Sequence, residues 1–225
     1  MRQQISKKII IYLLLFFLFV TINNYSINKF IYPKINFINI SGLNLDENKE
    51  LLNNLNYLKS QNLFFIDKEV VQKNIMSNNY IENFSIFKKY PSTLEINIQK
   101  TKFLGIVNKK GINFLIGSNG KFIKTNVINK DLPFLFGNFE SKDFLELKSF
   151  IDKSNLDFYD IKKLYFYPSG RWDIETTKEV TIKLPKYDLD KYINLSVQIL
   201  RKNDLNNIKV IDLRQKNQVI LDEKK

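Results

Sequence analysis

Two carboxylates in the second half of the chain have a spacing that could support hydrolysis. Asp173 and Glu175 stand two residues apart in "RWDIET", a segment typical of a strand, and alternate residues of a strand share one face. A carboxylate-based hydrolase uses such a pair as general acid and as base or nucleophile. The same pair is also typical of a solvated strand face. The sequence favours that structural role and leaves hydrolysis as the alternative.

Other catalytic chemistry is limited by residue types that the chain lacks. The 225 residues include no His and no Cys. Imidazole bases, cysteine nucleophiles, disulfides and the usual zinc ligands are therefore excluded. We expect a protein that is not an enzyme and that uses no cofactor, no metal and no small-molecule substrate.

Binding chemistry is indicated near the C-terminal end, in "VIDLRQKNQVILD", residues 210–222. Aliphatic and β-branched residues at both ends of this stretch predict one strand or a hairpin at the edge of a sheet, where backbone groups can pair with another chain. The guanidinium of Arg214 suits a partner carboxylate because it donates two parallel hydrogen bonds. The alternative is an edge that merely ends the sheet. The predicted partner-binding residues are Arg171, Arg214, Gln215, Asn217, Gln218, Val219, Ile220 and Leu221.

The net charge of +12 raises the question of nucleic-acid binding. The lysines are scattered along the chain and are not clustered with interleaved aromatic residues. Lys, Asn, Ile, Phe and Tyr are enriched together while Ala is missing, which is typical of an AT-rich genome. We therefore expect no nucleic-acid partner.

The N-terminal region has the composition of a membrane anchor. No charged residue occurs in residues 9–28, and a helix of that length is about 30 Å long, enough to cross the hydrocarbon core of a bilayer. A cleaved signal peptide is the alternative, but "TINNYSINKFIYP" offers no small-residue cleavage site. Basic residues in the tail, residues 1–8, favour a cytoplasmic N-terminus. We predict a transmembrane helix over residues 9–28.

The next region, residues 34–102, has the pattern of a small β-α-α-β-β domain. A strand in "PKINFINISG" precedes two helices, with Asp46 and Asp67 as the predicted N-caps. Alternating apolar residues on both sides of the Tyr90-Pro91 turn predict two further strands. The apolar residues predicted to face the core from the helices are Leu51, Leu52, Leu55, Leu58, Val70, Val71 and Ile75.

Residues 103–222 have the pattern of a strand-rich domain with two helices. Turns at Lys110-Gly111 and Asn119-Gly120 separate three predicted strands, and three more follow in "IKKLYFYPSGRWDIETTKEVTIKLPK". The predicted inward residues of the first helix are Phe144, Leu147 and Ile151. The second helix follows Asp188 as its predicted N-cap, and its predicted inward residues are Leu189, Tyr192, Ile193, Val197 and Leu200.

This order of segments resembles the FtsQ/DivIB family of bacterial cell-division proteins, in which a POTRA domain follows the anchor. The segments that carry the resemblance are "INFINISG", "NLFFID", "KKYPSTLEINI", "NGKFI", "LPFLFG", "RWDIET" with "IKLPK", and "IDLRQ". Gln215 stands where the family often has an aromatic residue. The resemblance implies an α+β protein with a single N-terminal transmembrane helix, a POTRA domain over residues 34–102, a mixed α+β domain over residues 103–222 and a tail over residues 223–225.

The resemblance also implies a function. It predicts a non-enzymatic, membrane-anchored scaffold that links early and late division proteins at the septum through extracytoplasmic contacts. The implied partner at the C-terminal edge strand is a coiled-coil pair of the FtsB/FtsL type. The implied location is the inner membrane, crossed once, with both domains in the periplasm. Besides hydrolysis, the alternative is a POTRA-type chaperone, which the anchor directly ahead of the domain disfavours.

The predicted orientation can be tested with reporter fusions. Because basic residues precede the apolar segment, alkaline phosphatase fused after Leu221 should reach the periplasm and be active. A fusion after Lys8, in the predicted cytoplasmic tail, is the control and should be inactive. An inactive enzyme after Leu221 would reverse the predicted topology.

Overall fold

The computed structural model describes residues 7–21, 33–126, 131–202 and 208–223. The first helix, α1 (Lys7–Thr21), contains the apolar run. The predicted transmembrane segment continues into residues 22–28, and that part lies outside the described residues, as do most of the predicted tails. Within the described part of the chain, no helix combines the length and the hydropathy that crossing a membrane requires.

A three-stranded sheet with two helices follows. The elements are β1 (Phe37–Ser41), α2 (Leu45–Asn54), a 3₁₀ turn (Asn56–Ser60), α3 (Lys68–Met76), β2 (Ile81–Lys89) and β3 (Thr93–Lys100). β3 lies in the middle of the sheet, parallel to β1 and antiparallel to β2. The predicted β-α-α-β-β order is confirmed.

The core of this first domain lies between the sheet and its helices. Alternate residues of the central strand β3 point into it, because side chains of a strand alternate between the two faces. The helices contribute Leu51, Val71 and Ile75, which are fully buried, and the 3₁₀ turn contributes Leu58. The predicted inward face is thus confirmed at these positions.

Two predicted details of the helices are wrong. The N-cap of α2 is Asn44 and not Asp46, because a capping box needs an acceptor three residues after the cap. Glu47 fills that position for Asn44, and the two residues exchange hydrogen bonds of 2.9 and 3.2 Å. Val70 is exposed, because the short helix α3 turns only the stripe of Val71 and Ile75 inward. Asp67 is the N-cap of α3, as predicted.

Nine strands of the described residues form a second sheet. They are β4 (Phe103–Lys109), β5 (Ile112–Gly117), β6 (Phe122–Lys124), β7 (Phe134–Phe136), β8 (Ile161–Phe166), β9 (Trp172–Thr176), β10 (Thr181–Lys183), β11 (Ile208–Asp212) and β12 (Ile220–Glu223). Their order in the sheet is β12-β11-β10-β9-β8-β7-β4-β5-β6. The helix α4 (Ser141–Lys153) leads from β7 to β8, and α5 (Leu189–Lys202) leads from β10 to β11. The α+β fold class is confirmed.

Both long helices of the second domain pack on one face of the sheet. Residues that pair in register across neighbouring strands point to the same face, so the paired row Leu135, Leu164, Ile174, Ile182 and Ile211 forms an apolar stripe. This stripe is buried in the same core as the inward residues of α4 and α5. The opposite face carries charged and aromatic side chains, which are described below.

Polar contacts join the two domains. Glu82 of β2 accepts a hydrogen bond of 2.6 Å from the hydroxyl group of Ser118 in the second domain. It also accepts one of 3.0 Å from Thr101, which lies in the connection between β3 and β4. The side-chain amide of Asn119 donates to the carbonyl oxygens of Asn79 and Ile81, at 2.9 Å each. The turn between β5 and β6 is therefore bound to the start of β2, which ties the orientation of one sheet to the other.

A matched pair of glycine substitutions should show how closely β7 and β8 approach. Gly137 and Gly111 both have positive φ, but a Cβ at Gly137 would lie 2.2 Å from the carbonyl oxygen of Phe166, whereas a Cβ at Gly111 meets nothing within 4 Å. Gly111→Ala should cost about 1–2 kcal/mol through backbone strain alone. Gly137→Ala should cost more, because the backbone must also move.

The measurement is urea unfolding of the purified chain, followed by the fluorescence of Trp172. This tryptophan is buried in the second domain, and its ring centroid lies 4.8 Å from that of Phe166. Equal losses in the free energy of unfolding for the two variants would contradict the close approach at Gly137.

Candidate partner-binding edge

The segment from β11 to β12 forms an antiparallel hairpin, which decides between the two predicted forms of this stretch. Asp212 pairs with Ile220 and Ile211 with Leu221. The turn is closed by a hydrogen bond of 3.3 Å from the amide of Gln218 to the carbonyl of Gln215. Asn217 has φ of 61°, a left-handed conformation that asparagine tolerates better than most residues. Four of the predicted partner-binding residues thus belong to this turn or flank it: Arg214, Gln215, Asn217 and Gln218.

The strand β12 is the last strand of the nine-stranded sheet and pairs with β11 on one side. Its side chains are all exposed, and the apolar residues Val219, Ile220 and Leu221 are exposed by 42, 48 and 44%. Leu221 extends the apolar stripe beyond Ile211, whereas Ile220 lies on the opposite face beside Asp212. An incoming strand could therefore contact apolar side chains on both faces while pairing with the backbone.

Charged side chains form a row across the face opposite the helices. Asp173 pairs in register with Lys183, and Lys183 pairs with Asp212, so these three side chains alternate in sign on one face. The next residue in register, on the edge strand β12, is the apolar Ile220, which pairs with Asp212. Cross-strand pairs of opposite charge stabilise a sheet, and this row leads directly to the edge strand.

Arg214 is held by Asp212 at the end of β11. Its Nε donates to both carboxylate oxygens, at 2.8 and 3.0 Å, and its Nη2 donates to Oδ2. The hydrogen bonds from Arg214 lower the pKa of Asp212 below its ordinary value, and the same contact raises the pKa of Arg214. Asp212 also accepts from the backbone amide of Arg214 at 3.1 Å. The guanidinium is therefore oriented before any partner arrives.

Arg171 lies beside Asp173 at the same end of the sheet. Its Nε is 3.7 Å from Oδ1 of Asp173, too far for a hydrogen bond, and its guanidinium lies 4.2 Å from the centre of the Tyr167 ring. Among the described residues, neither Nε of Arg171 nor Oδ1 of Asp173 has a hydrogen-bond partner. Asp173 is only 3% exposed, and burial raises its pKa, against the opposing effects of Arg171, Tyr167, Lys183 and Arg214.

The second carboxylate of the candidate hydrolytic pair is engaged by its own sheet. Glu175 accepts hydrogen bonds from Nζ of Lys163 at 2.9 and 3.1 Å, and from the hydroxyl of Tyr165 at 3.1 Å. The hydrogen bond to Glu175 raises the pKa of Lys163. Burial raises the pKa of Tyr165, and the hydrogen bond to Glu175 contributes a further, smaller increase. The arrangement is typical of an ion pair that stabilises neighbouring strands.

The structure brings all eight predicted partner-binding residues to one end of the sheet and its edge. Arg171 precedes β9, and Arg214 follows β11, where the amide of Leu213 donates to the carbonyl of Lys183 at 2.9 Å. Reasoning from the sequence missed Lys183 and Tyr167. The signal for Lys183 was its position in "TIKLPK", where the period of two places it on the face opposite Ile182.

Each of the two domains matches a known family of protein domains. The FtsQ-type POTRA domain matches residues 34–100, and the C-terminal domain of cell division protein FtsQ/DivIB matches residues 105–214. A DivIB protein of Clostridium acetobutylicum is 30% identical over 111 residues, which are 48% of this chain and 45% of that protein. The chain thus spans less than half the length of that relative.

Longer alignments have lower identity. DivIB of Clostridium botulinum strain Loch Maree is 23% identical over 92% of this chain and 86% of its own length. FtsQ of Rickettsia felis is 23% identical over 80% of this chain and 68% of its own length. The solved extracytoplasmic domain of DivIB from Geobacillus stearothermophilus aligns with 47% of this chain and 99% of its own, at 11% identity and a TM-score of 0.34.

Two substitutions of the same type should change stability in opposite directions. Burial raises the pKa of Asp173, so the folded state holds the proton more tightly than the unfolded chain does, and the ionised carboxylate costs stability at neutral pH. Asp173→Asn should therefore raise the free energy of unfolding at pH 7. The gain should vanish below pH 3.8, the ordinary pKa of the group, where both states hold the proton.

Asp212→Asn is the matched control. Because Arg214 lowers the pKa of Asp212, this carboxylate stabilises the fold above pH 3.8, and the stabilisation is lost as the pH falls through the lowered pKa. Asp212→Asn should therefore reduce the free energy of unfolding at pH 7. Urea titrations of both variants across acid and neutral pH are the measurement. A loss at pH 7 in Asp173→Asn would mean that the Arg171 ion pair outweighs the cost of burial.

Proposed function

Since the chain belongs to the FtsQ/DivIB family of cell-division proteins, we propose that it is a non-enzymatic scaffold that binds other division proteins through the edge strand β12. Its partner is a coiled-coil pair of the FtsB/FtsL type, which supplies a strand to the sheet. In this role the chain links early and late division proteins at the septum. The observation that carries the proposal is the exposed, apolar last strand of the nine-stranded sheet.

Backbone pairing explains how this edge can bind without a particular side chain at each position. An added strand gains affinity from main-chain hydrogen bonds and specificity from alternate side-chain contacts. Ile220 and Leu221 offer those contacts on opposite faces of the sheet. Gln215, in place of an aromatic residue, lies in the turn and leaves the pairing edge unchanged.

The two arginines add charge selectivity at the end of the edge. Asp212 occupies Nε and Nη2 of Arg214, so a partner carboxylate would bind through Nη1, the nitrogen for which no bond to Asp212 is formed. Asp212 thereby orients the guanidinium and reduces the entropy that binding would cost. Arg171 adds a second cation at the same end of the sheet, and its side chain is about one quarter exposed. The partner strand is therefore expected to carry acidic residues next to its apolar ones.

The scaffold is anchored in the inner membrane, with both folded domains in the periplasm. Support comes from the uncharged residues 9–28 and from the basic residues that precede them. The two domains then follow the anchor in order, so the edge strand lies at the far end of the chain from the membrane segment. Placement outside the cytoplasm makes β12 accessible to the extracytoplasmic parts of other division proteins.

Proline substitutions on the two edges of the same sheet test the proposal. The backbone groups of Leu213 and Ile211 face β10, since the amide of Leu213 donates to Lys183. Leu221 pairs with Ile211 and therefore directs its own amide away from β11. Leu221→Pro removes this outward donor from β12 and should weaken binding of the coiled-coil pair by about tenfold or more, because one or two lost backbone hydrogen bonds cost about 1–2 kcal/mol. The domain should stay folded, since all four residues of β12 are exposed. Lys124→Pro, on the opposite edge strand β6, is the matched control and should leave the affinity unchanged.

The measurement is the affinity of each purified variant for the FtsB/FtsL-type pair of the same genome, with circular dichroism as the check on folding. Unchanged affinity in folded Leu221→Pro would show that β12 merely ends the sheet. Equal losses in both variants would show that the effect of proline is not specific to β12.

A further inference from the structure

Three segments meet at the end of the first domain where the chain arrives from the N-terminal region. The amide of Ile35 donates to the carbonyl of Gln61 at 3.1 Å, and the amide of Asn36 donates to the carbonyl of Ser92 at 2.9 Å. These bonds hold residues 33–37, 61–66 and 87–93 together. We call this surface the N-terminal pole.

Exposed aromatic side chains are concentrated at the N-terminal pole. Phe65 is 73% exposed and Phe37 is 62% exposed, and the rings of Phe64 and Tyr90 pack with centroids 4.8 Å apart. Elsewhere in the described part of this domain, the large apolar side chains that are exposed are Leu45, Tyr57 and Val70. Aromatic residues gathered on one surface mark a site of interaction, because burying them in water-free surroundings is favourable. The exposed aromatic residues of the pole are Phe37, Phe64, Phe65, Phe87 and Tyr90.

The N-terminal pole carries an excess of positive charge. Its three segments contain Lys34, Lys88 and Lys89 and no acidic residue. Lys88 donates to the backbone carbonyl of Phe64 at 3.1 Å, which joins the segment of residues 87–93 to that of residues 61–66. Lys89 also pairs with Glu95 of β3 at 2.8 Å, outside the three segments. Lysines interleaved with Phe and Tyr are the composition of surfaces that rest in the interfacial region of a bilayer.

The pole is also close to the predicted membrane segment along the chain. The uncharged residues end at Asn28, and the first residue of the pole is Pro33. Five residues can span at most about 18 Å, even when fully extended. The headgroup region occupies about 5–8 Å on each side of the hydrocarbon core, so the pole lies within reach of the membrane surface.

From these observations we propose that the N-terminal pole binds the outer surface of the cytoplasmic membrane. The exposed aromatic rings enter the interfacial region, and the lysines contact phosphate groups of anionic phospholipids. The proposal rests on the membrane anchor of the proposed function. Because Glu82 and Asn119 tie the two domains together, contact at this pole also sets the direction in which β12 faces.

The absence of cysteine from the chain makes a direct test possible, since one introduced cysteine is a unique labelling site. Phe65→Cys at the pole is labelled with an environment-sensitive fluorophore in the full chain, reconstituted into vesicles of phosphatidylcholine and phosphatidylglycerol. Leu45→Cys is the matched control, because it is 79% exposed and lies beyond the opposite end of β1. Lipids that carry a nitroxide quencher in the headgroup region report contact with the membrane.

The lipid-borne quencher should remove most of the fluorescence at position 65 and leave that at position 45 unchanged. Lys34→Gln with Lys88→Gln, or vesicles of phosphatidylcholine alone, should restore the fluorescence at position 65. Equal quenching at both positions, or none at position 65, would overturn the proposed contact.

Extraction with alkaline carbonate separates this inference from the proposed anchor. If the chain stays with the vesicles while position 65 is not quenched, the anchor stands and the contact of the pole is wrong. If carbonate releases the chain, the anchor itself is wrong, and the contact proposed from it is overturned as well. An unquenched label that becomes shielded when a division protein is added would assign the pole to a protein partner instead.

Discussion

An open β-sheet has two edge strands with unpaired backbone groups, and the organisation of this chain follows from how its large sheet uses them. At one edge, the carbonyl of Phe122 in β6 accepts a hydrogen bond of 3.2 Å from Asn79 of the first domain, and the ammonium of Lys109 lies 3.8 Å from the centre of the Phe122 ring. At the other edge, every side chain of β12 is exposed. One edge thus contributes to the domain junction, and the other remains available for a strand from another protein.

The charged face beside β12 prepares that edge for recognition. Asp212 holds the guanidinium of Arg214 in one orientation, whereas Asp173 is buried next to Arg171 without a hydrogen bond between them. Such a buried ion pair need not stabilise the fold, because the cost of removing both charged groups from water can exceed their Coulombic attraction. The two acid–arginine pairs therefore have different effects. Asp212 orients the guanidinium of Arg214, whereas the burial of Asp173 beside Arg171 costs stability near the proposed binding edge.

Much of this arrangement was predictable from patterns within single segments. The strand alternation after Tyr90, the helix stripe of Phe144, Leu147 and Ile151, and the Asn119-Gly120 turn all appear in the structure as expected. These features depend on residues a few positions apart, so the period of 2.0 or 3.6 residues reports them directly. The choice between two adjacent cap candidates was harder to predict, because the capping box depends on two reciprocal hydrogen bonds between Asn44 and Glu47.

By itself, the sequence determined the β-α-α-β-β order, the apolar N-terminal segment and the strand character at both ends of residues 210–222. Only the tertiary structure decided which strands are neighbours, because pairing between distant segments depends on the whole sheet. The three-residue strand β7 is too short to show a period, yet it joins β4 to β8. Asp173 and Glu175 have the same spacing signal, but the surrounding side chains bury the first and pair the second with Lys163. Period-two alternation assigns a side chain to a face, whereas its charge partners and burial come from strands that the fold brings beside it.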